Sequence, residues 1–333
     1  MSGDAAPIEL GDPHHHLWDL SEGRYPWLQE ETDPHFFLGD YAPIRRDYLP
    51  ADYRRDAAAH RVLATVHCEA ERARDDQLGE TAWLTRIHAE HGFPNAIVAH
   101  AWFHTPESAE VLARQAANPL VRGIRSKPVT ARTPDATTPG APGTMQDPRW
   151  LEGFARLERH GLSWDLRVPP WHLDEAARVA ADFPRVPIVL NHTGFPWDRS
   201  EDGLAAWRRG MAALAACPNV HLKVSELGLR DAPWDEASNR RVVLDAVSIF
   251  GIGRCMFASN APVSGLRIGY DAQVRAISRI LSGFTDAERR GFFVDNAAAF
   301  YRIALPASPV AGSGAPAVRT SLTSAPRAAG RSA

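Results

Sequence analysis

The sequence contains no apolar stretch of the roughly 20 residues that a membrane-spanning helix needs. Its first ten residues, MSGDAAPIEL, lack the basic start and the apolar core of a secretory signal peptide. Only three cysteines occur in 333 residues, and no CxxC pair is present, so we expect them to be reduced core residues. These absences predict a cytoplasmic protein with no membrane partner.

The sequence also lacks an excess of basic charge, which excludes a typical nucleic-acid-binding protein. It has 37 lysines and arginines against 40 aspartates and glutamates, a net charge of -3. A hydrophobic fraction of 44% and a charged fraction of 23% are typical of a globular protein. We therefore expect a small-molecule substrate as the partner, and the composition is compatible with a homodimer.

Eight short runs rich in Val, Ile and Leu alternate with helix-like stretches. They cover residues 8–16, 62–70, 96–102, 121–128, 162–168, 188–194, 220–227 and 254–262. Strands that alternate with helices of ten or more residues predict a parallel sheet, and eight strands close a (β/α)₈ barrel. A doubly wound open sheet is the alternative, but no GxGxxG follows the first run. The predicted fold is one TIM barrel over residues 8–305.

Capping signals mark three helix starts inside this repeat. Thr105 precedes Pro106, Asp147 precedes Pro148, and a capping box extends from Thr285 to Glu288.

Four segments lie outside the strand and helix repeat. Residues 1–7 form a short N-terminal extension, and two long loops, 17–48 and 129–146, follow predicted strands. Such loops lie over the C-terminal mouth of a barrel, where they can cover a substrate. Residues 306–333 are rich in Ala, Pro and Ser, so we predict a disordered tail.

Every predicted strand ends in polar or ionisable residues. Because side chains alternate along a strand, residues of one parity point into the barrel. This inward set comprises Asp12, His14, His16, His67, Glu69, His100, Arg125, Lys127, Asp165, Arg167, His192, Lys223 or Glu226, and Asn260. A single buried histidine is usually a hydrogen-bonded core residue, but unpaired buried charges cost several kcal/mol each. A convergent ring of charges therefore predicts a functional pocket.

Five short motifs carry a family resemblance: DPHHHLWD at 12–19, HCEA at 67–70, RGIR at 122–125, LNHTG at 190–194 and FASNAP at 257–262. With them the sequence resembles the amidohydrolase superfamily, specifically its amidohydrolase-related (amidohydrolase 2) branch. That branch includes sugar and dicarboxylate lactonases and metal-dependent decarboxylases. The lactonase group looks most similar, which implies a hydrolase on a TIM barrel.

The resemblance also implies a set of catalytic residues. His14, His16 and His192 match the family's histidines and would be the metal ligands if a metal is bound, and Glu69 and Asn260 complete the catalytic set. Asn260 stands where the family motif has an aspartate that helps to bind metal and takes a proton from water. An amide does not ionise and is a poor zinc ligand. A single divalent cation, zinc, and metal-free catalysis therefore both stay open.

Seven further residues are predicted to bind substrate: Arg125, Lys127, Asp165, Arg167, Glu226, Trp18 and Trp197. Arginine and lysine can hold a carboxylate or an oxyanion. The general base would be His192, Glu69, Asp165 or Glu226. Tryptophans near the strand ends suit a cyclic or aromatic ligand.

The predicted function is hydrolysis of a lactone or related cyclic ester on a carboxylate-bearing or aromatic small molecule. A metal-dependent decarboxylase is one alternative. A catalytically silent binding protein is another, because Asn260 replaces the family's aspartate.

Overall fold

Eight parallel strands form one sheet in the order in which they occur in the chain. The computed structural model describes residues 6–30, 32–134, 136 and 140–306. The strands are β1 (Glu9–His15), β2 (Arg61–Cys68), β3 (Ala96–Ala99), β4 (Val121–Ile124), β5 (Ser163–Leu166), β6 (Ile188–Leu190), β7 (Val220–Val224) and β8 (Cys255–Phe257). The sheet closes where His16 N donates to Ala261 O at 2.8 Å. The predicted TIM barrel is thus confirmed.

Helices connect successive strands, as parallel pairing requires. They are α1 (Pro26–Gln29), α2 (Pro50–Asp56), α3 (Gln77–His91), α4 (Ser108–Ala116), α5 (Pro148–His160), α6 (Leu173–Asp182), α7 (Glu201–Ala215), α8 (Glu236–Phe250), α9 (Tyr270–Ile280), α10 (Asp286–Arg290) and α11 (Asn296–Tyr301). The caps at Asp147 and Thr285 are confirmed. The start predicted at Thr105 is wrong, because residues 106–107 form a turn before α4.

The interior of the barrel is a small apolar cluster, separate from the larger core between strands and helices. It contains Val66, Cys68, Ala96, Val98, Val189 and Met256. Tyr301 of α11 joins this cluster, and its hydroxyl donates to both oxygens of Asp165 at 2.9 and 3.0 Å. Because Ala96 is the first residue of β3, α11 closes the end of the barrel opposite the carboxyl ends of the strands.

Two residues do not follow the predicted inward parity. Asp12 accepts hydrogen bonds from Tyr53 of α2 and Tyr270 of α9, so it faces the helices. The register of β1 shifts between Asp12 and His15, which breaks the strict alternation. His67 lies between two residues of the interior cluster and therefore faces outward, with its Nε2 3.1 Å from Leu17 O.

The terminal predictions fall largely on undescribed residues. Residues 1–5 and 307–333 lie outside the described part of the chain, so the extension and the disordered tail stay predictions. Within the described ranges, no helix is both long enough and apolar enough to span a bilayer.

Replacing Tyr301 with phenylalanine tests the packing of α11 against the barrel interior. Tyr301→Phe removes the hydroxyl that donates to the buried Asp165, so we expect the free energy of unfolding to fall by about 1–3 kcal/mol. Tyr48→Phe is the matched control, because its hydroxyl donates to Asp56, a carboxylate that is 36% exposed. Urea denaturation measures both, and equal losses would contradict this account.

Candidate active site

A cavity of about 410 Å³ opens at the carboxyl ends of the strands. Its wall combines strand-end residues with residues of the long loop after β1. The lining residues are His16, Trp27, Asp33, His35, Phe36, Phe37, Tyr41, Ala70, Glu71, Arg125, Lys127, Arg167, His192, Trp197, Asn260 and Val263. The loop 17–48 therefore covers the mouth as predicted, whereas none of the described residues of 129–146 lines this cavity.

Three histidines converge at the floor of the cavity. The ring centroid of His14 lies 5.0 Å from that of His16 and 4.6 Å from that of His192. All three are buried, and burial, aided by nearby Lys223, Arg125 and Arg167, lowers their pKa values well below the usual value. The three imidazoles are therefore neutral at neutral pH.

Cations flank both ring nitrogens of His14. Lys223 Nζ lies 3.5 Å from His14 Nδ1, and Arg125 Nη1 lies 3.5 Å from His14 Nε2. Lys223 also donates to Asp165 Oδ2 at 2.5 Å. Cys68 completes a buried group, in which ligand atoms of His14, Cys68 and Asp165 lie within 4.8 Å of one another.

Glu69 forms ion pairs with two arginines. Arg125 Nε donates to Glu69 Oε1 at 2.7 Å, and Arg74 Nη1 donates to Oε2 at 3.0 Å. Burial opposes ionisation of this carboxyl, but the two guanidinium groups hold its pKa well below its usual range. Glu69 therefore positions Arg125, and it is a poor general base because both of its carboxylate oxygens already accept hydrogen bonds from arginine.

Asn260 connects His16 to Glu226. The Asn260 amide donates to Glu226 Oε2 at 2.5 Å, and its Oδ1 lies 3.1 Å from His16 Nε2. Burial raises the pKa of Glu226 to about 7, against the opposing hydrogen bonds from Asn260 and Ser264. Glu226 Oε1 has no hydrogen-bond partner among the described residues. The carboxyl of Glu226, with a pKa of about 7, is thus linked to His16 through the side-chain amide of Asn260.

Four site residues adopt the left-handed backbone conformation, which non-glycine residues rarely do. The φ angles are +59° at Glu71, +58° at His192, +48° at Glu226 and +53° at Asn260. Such strained residues cluster at functional sites, where the surrounding packing holds them in place. Here the strain turns the chain after β2, β6, β7 and β8 and directs polar groups toward one mouth.

The structure brings together almost all of the predicted site residues. His16, Arg125, Lys127, Arg167, His192, Trp197 and Asn260 line the cavity. His14, Glu69, Asp165 and Glu226 lie directly beneath and contact them or the buried Lys223.

Asp165 and Glu226, which were predicted to bind substrate, do not line the cavity, and neither does Trp18. It is completely buried, and its indole donates to Arg46 O at 2.6 Å behind the wall. Its side chain packs against the ring of Trp27, which lines the cavity instead. The sequence prediction of direct substrate contact by Trp18 is therefore wrong, because the loop after β1 folds back over it.

Several lining residues were missed as individual site residues. Glu71 forms an ion pair with Lys127, and Phe36, Phe37 and Tyr41 come from the aromatic loop after β1. The density of aromatic residues in that loop was the available signal, but it does not reveal which rings face inward.

The chain matches the amidohydrolase family model over residues 12–303. It belongs to that family, and it is a hydrolase. The protein called uncharacterized protein y4mH of Sinorhizobium fredii is 40% identical over 297 residues, which cover 89% of this chain and 99% of that protein.

Two relatives from Burkholderia multivorans add functional context. L-fucono-1,5-lactonase is 29% identical over 308 residues, covering 89% of this chain and 97% of the lactonase. The crystal structure of an amidohydrolase with bound zinc is 26% identical, with a TM-score of 0.70 over 90% of this chain and all of that chain.

The side chains of this site do not fit the divalent cation that the family suggests. Both ring nitrogens of His16 are engaged, with Cys68 O 2.7 Å from Nδ1 and Asn260 Oδ1 3.1 Å from Nε2. The ring nitrogens of His14 face two cationic groups. Glu69 and Asp165 already accept from protein donors, Glu226 lies behind Asn260 with one oxygen engaged, and Asn260 supplies no anionic oxygen. No catalytic step is therefore assigned to a metal here.

The raised pKa of Glu226 predicts a pH dependence of stability. Because the folded state favours the protonated carboxyl, its contribution is fully present below about pH 4.5 and is lost as the pH rises through 7. The stability difference between wild type and Glu226→Gln should shift by up to about 3 kcal/mol between pH 4.5 and 8.

Urea denaturation across this pH range measures that difference. Glu236→Gln is the control, since Glu236 is ion-paired with Arg279 and its pKa is lowered, so it stays ionised above pH 5. A Glu226→Gln profile parallel to that of the wild type would show that folding does not raise the pKa of Glu226.

Proposed function

We propose that this protein hydrolyses a lactone or related cyclic ester whose ring carries an anionic group, such as a carboxylate. The observation that carries this proposal is the guanidinium group of Arg167. It lines the cavity, with its carbon 5.0 Å from the centroid of the Phe195 ring and 5.6 Å from that of Phe37. Among the described residues, no carboxylate lies within ion-pair distance of it.

Arg167 keeps its positive charge at neutral pH. Burial and the neighbouring Arg125 lower its pKa to about 10, which is still well above 7. A partly buried charge without a partner is costly, and a substrate carboxylate would supply two acceptor oxygens that match the planar fork of the guanidinium. The other two cations of the wall already have partners, Arg125 in Glu69 and Lys127 in Glu71.

The rest of the cavity suits a flat ring. Trp27, Phe36 and Tyr41 pack against one another, and the Trp27 and Phe36 rings are stacked with centroids 6.1 Å apart. Trp197 lines the wall beyond Phe195. Apolar walls with few polar anchors are typical of small-molecule sites. The combination favours an aromatic or unsaturated lactone that bears a carboxylate.

His192 is placed by its geometry to activate water. Its Nδ1 lies 3.1 Å from Ser225 Oγ, and when Nδ1 carries the hydrogen and donates to that oxygen, Nε2 is left to the cavity and can accept a proton. The resulting hydroxide attacks the ester carbonyl carbon, and the oxyanion forms beside Arg125. The ring C–O bond then breaks, the leaving oxygen takes the proton from His192, and the product is an open-chain hydroxy acid.

The relatives support lactone opening over the two alternatives. The L-fucono-1,5-lactonase of B. multivorans makes a neutral sugar lactone the second candidate substrate. Two relatives named L-fucono-1,5-lactonase, 29% and 28% identical to this chain, favour hydrolysis over decarboxylation. His192 can take the role of the missing aspartate, which argues against a silent binding protein. A zinc-dependent reaction, a cytoplasmic location and a homodimer stay predictions.

The Arg167→Met variant separates anionic from neutral substrates. Loss of a charge-assisted hydrogen-bond pair should lower kcat/KM for carboxylated lactones by about 10–100-fold. A neutral sugar lactone should change by less than about threefold, since it lacks the charge that the guanidinium group binds. Indicator-coupled acid release measures both, and Arg178→Met on the exposed face of α6 is the control.

Two results would count against the proposal. Equal losses on both substrate classes would show that Arg167 acts through the fold, because it would not distinguish charge. Turnover of neutral lactones alone would favour the sugar lactone as substrate.

A further inference from the structure

We infer that the ammonium group of Lys223 takes the place of a divalent cation in the buried group of His14, Cys68 and Asp165, so that this protein holds no metal there. Lys223 Nζ lies 2.5 Å from Asp165 Oδ2 and 3.5 Å from His14 Nδ1. A zinc ion shared by these two residues would need its centre about 2.0–2.2 Å from both ligand atoms. The ammonium group therefore occupies the space of such an ion and supplies one positive charge where the ion would bring two.

Burial and ion pairing hold the Lys223 side chain in this position. Its side chain is completely buried on β7, and its ammonium group lies 5.1 Å from the centroid of the Tyr301 ring. Asp165 is also fully buried and accepts from Tyr301 and Asn191 in addition to Lys223. Withdrawal of the ammonium group would leave a buried carboxylate without a countercharge, which is strongly unfavourable.

A second cation, the guanidinium group of Arg125, lies on the other side of His14. Arg125 Nη1 lies 3.5 Å from His14 Nε2, and Glu69 holds this guanidinium in place. A divalent ion bound through either nitrogen of His14 would therefore lie beside a fixed positive charge. Asn260 adds no negative charge to offset that repulsion.

The lysine usage of the chain agrees with a specific role for this ammonium group. Of the 37 lysines and arginines, only Lys127 and Lys223 are lysines, and both lie at the site. An ammonium group is a compact point charge, whereas a guanidinium group is broad and planar. Lysine is therefore the side chain that fits a space of metal-ion size between a carboxylate and an imidazole.

Zinc binding tests this inference independently of the proposed substrate. Wild type, Lys223→Met and Lys223→Met/Asp165→Asn are dialysed against zinc and then against buffer, and bound zinc is measured by elemental analysis. We expect well under one equivalent in wild type and one equivalent in Lys223→Met, with an affinity about 100-fold tighter once the ammonium charge is gone. The double variant should lose that zinc, because it lacks the carboxylate ligand.

Two controls identify where any zinc binds and whether each variant folds. Lys127→Met removes the other lysine and should bind as little zinc as wild type, and circular dichroism reports folding. One equivalent in wild type that disappears in His14→Asn would overturn the inference, as would a folded Lys223→Met that binds no zinc. If Lys223→Met does not fold, the wild-type measurement alone decides: absence of zinc supports the inference and a His14-dependent equivalent overturns it.

Discussion

Charge buried inside the barrel must be paired, and that constraint organises this active site. Lys223 neutralises Asp165, and Arg125 neutralises Glu69, each at an ion-pair distance of 2.7 Å or less. Each pair also contacts His14 through its cation. Breaking either pair would strand a charge in a low-dielectric interior, where the cost reaches several kcal/mol. The histidines therefore lie in a rigid, positively charged setting that keeps them neutral.

The end of the barrel that lies far from the substrate contributes to the same arrangement. Tyr301 extends from α11 through the interior cluster and donates to Asp165. Hydrogen bonds therefore link α11 to the Asp165–Lys223 ion pair beneath the cavity. At the open mouth, left-handed residues after four strands direct His192, Glu226 and Asn260 toward one point. The packing of α11 at one end of the barrel and the strained backbone at the other thus hold His192, Glu226 and Asn260 in place. A fixed geometry of this kind favours catalysis by preorganised dipoles and charges.

Asn260 determines which residues are left for the proposed mechanism. With an amide at this position, the site has no carboxylate at the end of β8, and we therefore assign the proton-accepting role to another group. Glu226 is close to half protonated at neutral pH but lies behind the amide, whereas His192 is neutral and faces the cavity. Arg167, which has no carboxylate at ion-pair distance among the described residues, supplies the positive charge for an anionic substrate in the proposed mechanism.

The sequence by itself determined the barrel and most of its polar ring. Eight apolar runs with helices between them leave few alternatives, and the carboxyl ends of parallel strands must meet at one mouth. His14, His192, Arg125 and Asn260 were therefore predictable as neighbours. Only the tertiary structure decided which of them line the cavity and which hold other residues in place. Asp12 and His67 face outward because of a register shift in β1 and the packing of the chain after it. The loop after β1 likewise buries Trp18. Charge pairing between residues distant in the chain places Lys223 between Asp165 and His14.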